Sequence, residues 1–149
     1  MTKPKIVIGR TDIIDLPEFS LKGIQAKVDT GAYTSAIHCS KIKTIKVEGE
    51  EYVTFHIPNS HIKGTSKKLY KTNDFLIKNI KSSSGHIERR FVIKTKIVIF
   101  NKSINTEFSL TDRSQMKFPI LLGRKLLSKR FIVDVSSVNL SYKRKLQKL

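Results

Sequence analysis

Asp29 stands where the strand-like run Ala26-Lys27-Val28 gives way to small and hydroxylated residues, Thr30, Gly31, Ala32, Thr34 and Ser35. Two readings fit these residue types. Asp, Thr, Gly and Ser are ordinary turn formers, because they hydrogen-bond their own backbone or adopt positive φ. The same stretch can also present a carboxylate for acid–base work, which needs an acid held on a tight, uncrowded loop.

Other reactive side chains are sparse. Cys39 is the one cysteine, so no internal disulfide can form, which fits a reducing compartment. His38 precedes it, while His56, His61 and His86 are scattered, and no His-Glu-x-x-His element or closed ligand set is present. No P-loop or other nucleotide motif occurs. We therefore expect no metal and no cofactor.

Charge is the loudest feature of composition: 29 Lys plus Arg against 12 Asp plus Glu, a net of +17. Such a balance suits an anionic partner such as RNA, a ribosome or an acidic peptide, and it equally suits a general lysine bias. Basic residues gather in "GRKLLSKR" and "YKRKLQKL", without an aromatic platform or a nucleic-acid-binding motif. A nucleic-acid partner thus rests on charge alone.

The elements that must position Asp29 are mostly strands. "YVTFHIP" puts Val53, Phe55 and Ile57 on one face, and "RRFVIKTKIVIF" puts Phe91, Ile93, Ile97 and Ile99 inward with Arg90, Lys94 and Lys96 outward. Val92, Val98 and Phe100 make its second face partly covered as well. "KSSSGH" reads as a hairpin turn and "NSHIKGTSKK" as an irregular loop. One short helix is predicted over 123–130, after the strand "FPILL", with "RFIVDV" and "VNLSYK" as closing strands. No linker or repeat divides the chain, so residues 1–149 read as one mainly β domain, a small barrel or sandwich. With no 18-residue apolar run and no leader pattern, the expected setting is soluble and cytoplasmic, away from membranes.

The Asp-Thr-Gly loop and the distant segment "FPILLGRKLL" together resemble the pepsin and retropepsin class of aspartic proteases. "GRTDIIDLPEF", "AKVDTGAYTSAIHC", "SGHIERRFVIKT", "LTDRSQMKFPILLGRKLL" and "FIVDVS" follow the order and spacing of a retropepsin-like bacterial family labelled ATP-dependent zinc proteases. That family is associated with RimK-type ATP-grasp ligases, which add glutamates to a ribosomal protein. The resemblance covers roughly residues 9 to 140. It implies a closed or partly open retropepsin-like barrel with one short helix near the C-terminus.

It also implies an aspartic endopeptidase. Two carboxylates around one water cannot both ionise, so one stays protonated to polarise the scissile carbonyl while the other takes a proton from the water. Asp29 is the implied acid. Thr30, Gly31, Ala32, Thr34 and Ser35 form the active-site loop, and Leu121, Leu122 and Gly123 the supporting strand. Since the chain has a single Asp-Thr-Gly, the second Asp29 would come from an identical subunit. Within the chain, Asp112 beside Arg113 reads as an ion pair or a turn, and Asp134 as a strand end.

Arg89, Arg90, Asp112, Arg113 and Arg124 lie in the family-like segments and are candidate substrate-binding residues. A planar guanidinium pairs bidentately with acids, so glutamate-rich peptide ends would suit; the same arginines could instead pin loops or face solvent. The competing reading is a protease-like binding module that docks on an ATP-grasp ligase, a ribosomal protein or an acidic peptide. The family's zinc label has no ligand set in this chain to support it.

Overall fold

The computed structural model describes residues 3–57, 69–82, 84–112 and 117–147. Its strands are β1 (Ile6–Ile8), β2 (Thr11–Leu16), β3 (Leu21–Val28), β4 (Ser35–Val47), β5 (Glu50–His56), β6 (Leu69–Thr72), β7 (Phe75–Lys81), β8 (Ile87–Ile99), β9 (Lys102–Asp112), β10 (Ile120–Leu122) and β11 (Phe131–Val133). Two helices, α1 (Arg124–Leu127) and α2 (Leu140–Leu146), and a 3-10 turn at Pro17–Phe19 complete the described elements.

The larger sheet runs β10-β3-β2-β8-β9-β4, and β10 also pairs with β4. That last pairing closes the order on itself, so the fold is mainly β and partly barrel-like. β5 and β6 extend the sheet beyond β4, and β7 pairs with β8. β1 and β11 form a separate parallel pair.

Alternation places the core. Ile14 and Leu16 on β2, Ile24 on β3, Ile37 on β4, Ile93 and Ile97 on β8 and Phe108 on β9 are all buried. Each such side chain contributes about 1.5–3 kcal/mol on leaving water. The predicted inward face of "YVTFHIP" is observed, with Val53, Phe55 and Ile57 buried. In β8, Ile97 and Ile99 are buried and Lys94 and Lys96 exposed, as predicted. Val92 on the second face is buried too, opposite Leu76 of β7. The "KSSSGH" hairpin turn is also present: Gly85 takes φ of +88°, and Ser82 N–H donates to the His86 carbonyl at 2.8 Å. The loop predicted over "NSHIKGTSKK" lies outside the described residues.

The C-terminal region departs from expectation in two places. The predicted 123–130 helix is only Arg124–Leu127, because Ser128 turns to an extended ψ of 136° and Lys129 takes φ of +69°. "VNLSYK" is not a closing strand. Val138 makes one bridge to Thr11 and the chain then enters α2.

The cause lies far away in sequence. Asn139 supplies no side-chain cap to α2. Instead Asp12, 1 % exposed on the inner face of β2, accepts from the N–H groups of Ser141 at 2.9 Å and Tyr142 at 3.1 Å, and from Ile13 at 2.8 Å. A carboxylate at a helix N-terminus satisfies donors that the helix leaves unpaired.

Burial raises the Asp12 carboxyl above its ordinary 3.8, with the three backbone donors opposing that shift. The folded chain therefore holds this proton more tightly than the unfolded chain. The contribution of Asp12 to stability is full below 3.8 and is lost as pH rises through the raised value. Urea midpoints of the wild type and Asp12→Ala, from about pH 3 to about pH 7, should converge in that direction.

Candidate active site

β3 ends at Val28 and β4 begins at Ser35, yet these strands do not pair directly around the loop that joins them. β10 runs between them, parallel to β3 (Leu121 opposite Lys27, Leu122 opposite Val28) and antiparallel to β4 (Leu121 opposite Ala36). The loop 29–34 thus arches over the end of β10.

Its backbone is held from below at each step. Asp29 N–H donates to the Leu122 carbonyl at 2.9 Å. Arg124 N–H donates to the Ala32 carbonyl at 2.8 Å, and Lys125 N–H to the Tyr33 carbonyl at 2.8 Å. The buried Ser35 hydroxyl accepts from Gly123 N–H at 3.0 Å. Gly123 is required for space: a Cβ there would lie 2.7 Å from the Tyr33 carbonyl oxygen and 3.0 Å from that of Ala32.

Asp29 itself is half-buried, and its Oδ1 accepts from Gly31 N–H at 3.0 Å. The two readings of this residue are therefore compatible, since the carboxylate both closes a turn and faces a cleft. The cleft measures about 620 Å³. Thr30, Ala32 and Thr34 line it beside Asp29; Ala36 and His38 of β4, Thr111 of β9 and Leu121 of β10 line it as well. The β7–β8 hairpin supplies Ile80, Lys81, Ser82 and Ser84, with Arg90 from β8 and Lys117 and Phe118 ahead of β10.

Among the described lining residues Asp29 is the one carboxylate, and it shares the cleft with Lys27, Lys81, Arg90 and Lys117. Asp112 is exposed at the end of β9 and Asp134 lies in the turn after β11, and neither lines the cleft. Hydrogen bonds from the Ser136 hydroxyl, the Ser136 N–H and the Ser137 hydroxyl hold the Asp134 carboxyl below the usual range.

The candidate arginines separate in the same way. Arg90 lines the cleft and pairs with Glu88 at 3.0 Å. Arg124 does not line it. Its Nη1 donates to the Thr30 carbonyl at 2.9 Å and its guanidinium lies 5.8 Å from the Tyr33 ring centroid, so it pins the loop from behind. Arg89 is exposed outside the cleft, and Arg113 lies outside the described residues. Leu122 is buried in the core, while Leu121 reaches the cleft.

Sequence reasoning missed Lys27, Lys81, Lys117 and Thr111 as cleft residues. It weighed His38 only as a metal ligand beside Cys39 and gave it no place in the cleft. Cys39 faces the core, and burial pushes its thiol up to about 12, so it is not a nucleophile. Among the described residues no three His, Cys, Asp or Glu side chains are grouped to hold a metal; His61 lies outside them.

A closed strand ring, an Asp-Thr-Gly loop and a strand threaded beneath it define the retropepsin-like class. More narrowly, the chain belongs to the RimB-like family, described as the retropepsin-like aspartic endopeptidase RimB, whose model matches residues 7–144. It is 36% identical over 138 residues to a "Probable alpha-L-glutamate ligase" of Shewanella halifaxensis, a match covering 91% of this chain and 30% of that protein. A protein of the same name from Desulfotalea psychrophila is 36% identical over 130 residues, covering 87% and 28%. The chain thus spans about three-tenths of the length of these curated relatives. A crystal structure of a Legionella pneumophila protein of unknown function superposes with a TM-score of 0.72 at 23% identity, covering 93% of this chain and 99% of that one. That likeness concerns the fold.

Proposed function

We propose that this chain is an aspartic endopeptidase that works as a homodimer, with Asp29 of each subunit forming the dyad, and that it cleaves glutamate-rich peptide segments. The observation that carries this reading is the position of Asp29. It is the one carboxylate among the described residues of a cleft that also holds Lys27, Lys81, Arg90 and Lys117, on a loop braced by β10 and α1.

The chemistry follows from the pairing. One Asp29 carboxylate takes a proton from a water as that water attacks the scissile carbonyl; the other, protonated, donates to the carbonyl oxygen. The two acids titrate as a unit. The four cations attract anionic peptide and set its path past the dyad. The relatives' name supports the same substrate class, since an α-L-glutamate ligase would make glutamate-extended products for such a peptidase.

A second reading draws on the same four cations: a binding module that docks on a glutamate ligase or a ribosomal protein through an acidic segment, without turnover. The two readings separate in one assay. The purified chain is incubated with poly-glutamate and with a neutral peptide of equal length across a salt series. Cleavage of poly-glutamate that weakens steeply with salt is the expected result. Binding of poly-glutamate without any cleavage would favour the module, and equal cleavage of both peptides would remove the acidic specificity.

A further inference from the structure

The cleft floor holds a group that the dyad chemistry does not use. Thr111 is 6 % exposed, lines the cleft, and its hydroxyl has no hydrogen-bond partner among the described residues. Its Cα partner in the parallel β4–β9 ladder is His38, 3 % exposed and also lining the cleft. Partnered residues of adjacent strands project to the same face, so the imidazole and the hydroxyl sit side by side. Around them the floor is apolar, built by Ala36 and Leu121. One rung back, opposite Ala36, the fully buried Ser109 hydroxyl likewise has no partner among the described residues.

A buried hydroxyl without a partner costs about 1–3 kcal/mol, and native folds seldom leave one without reason. A ligand group that completes the bond on binding would supply that reason. The sign of that group follows from the surroundings. Lys27, Lys81, Arg90 and Lys117 line the same cleft, so a carboxylate is favoured over an amide or an amine.

We propose that His38 and Thr111 form a side-chain subsite that receives one carboxylate of the bound peptide, and that this pair selects an acidic residue over a neutral one of the same size. The subsite rests on the reading of this cleft as a peptide-binding site. Neither residue takes part in the proton transfers; Thr111 acts through a hydrogen bond to the substrate side chain, and His38 walls the subsite beside it.

Thr111→Val tests this directly, because it keeps the shape and removes only the hydroxyl. No described partner is lost, so the thermal midpoint should stay unchanged or rise. Titration calorimetry in an Asp29→Asn background, which suppresses turnover, compares matched peptides carrying Glu, Gln or Leu at a single position. The parent should prefer the Glu peptide. Thr111→Val should lower Glu-peptide affinity about tenfold and leave the Gln and Leu peptides unchanged, and His38→Phe should narrow the same preference. A parent with no preference for Glu, or a Thr111→Val variant that weakens all three peptides equally or none, overturns the subsite. Cleavage surviving Asp29→Asn would instead refute Asp29 as the acid, a result read from product formation and not from the Glu, Gln and Leu affinities, so the two failures are distinct.

Discussion

Asp29→Asn is expected to lower kcat/KM for a glutamate-rich peptide by about a thousandfold or more, and to change folding stability by less than about 1 kcal/mol. The two halves of this expectation come from different atoms. Asparagine keeps a carbonyl oxygen that can accept from Gly31 N–H, the bond Asp29 makes at 3.0 Å. The backbone bond from residue 29 to Leu122 and the α1 contacts to Ala32 and Tyr33 do not involve the side chain. The loop should therefore persist. What asparagine cannot do is accept a proton from water, and a thousandfold loss corresponds to about 4 kcal/mol of barrier. Steady-state kinetics and a urea melt measure the two halves separately. Unchanged cleavage would remove Asp29 from the chemistry, and a collapsed melt would mean that its role is structural.

Gly123→Ala should affect stability and activity together. The atoms that a Cβ would meet are all backbone: Tyr33 O at 2.7 Å, Thr34 C at 2.9 Å and Ala32 O at 3.0 Å. No flexible side chain can yield. Gly123 has φ of −97°, which any residue adopts, so its requirement is space and not conformational freedom. Accommodating the methyl means lifting the loop off α1 and weakening the bonds from Arg124 and Lys125 N–H. We expect a loss of about 2–4 kcal/mol in unfolding free energy, and a drop in kcat/KM of at least about tenfold as Asp29 moves with its loop. Thermal unfolding beside kinetics checks it. A variant with native stability and native activity would show that the loop does not depend on this close approach.

Alternation is the part of the fold most legible in sequence, because a strand with one covered face repeats every second residue. β5 and β8 follow it through Val53, Phe55, Ile97 and Ile99, although Thr54 and Val92 on their opposite faces are buried as well, and the hairpin at Ser82–His86 follows from its turn residues. α2 was not legible for a physical reason. Its first-turn donors are satisfied by Asp12, some 130 residues earlier, and no local residue announces that bond.

The site divides similarly. Asp29 and Gly123 carry local signatures, a turn-forming acid and a glycine between a strand and a helix. Lys27, Lys81 and Lys117 carry none, since in a chain with a net charge of +17 a cleft lysine looks like any other. Only the pairing of β10 with both β3 and β4, and the projection of the β7–β8 hairpin, bring them to one cavity. Arg90 and Arg124 were equivalent candidates in sequence. Strand register puts the first in the cleft, and the short α1 turns the second against Thr30.

The central claim is that two copies of Asp29 build one catalytic centre, and subunit mixing tests it most directly. Wild type and Asp29→Asn are combined in varying proportion under conditions of subunit exchange, and cleavage of a glutamate-rich peptide is measured at constant total protein. If each centre needs Asp29 from both subunits, activity follows the square of the wild-type fraction, about one quarter at equal mixing. Activity proportional to the wild-type fraction, about one half at equal mixing, would mean that each chain works alone and would contradict the shared dyad.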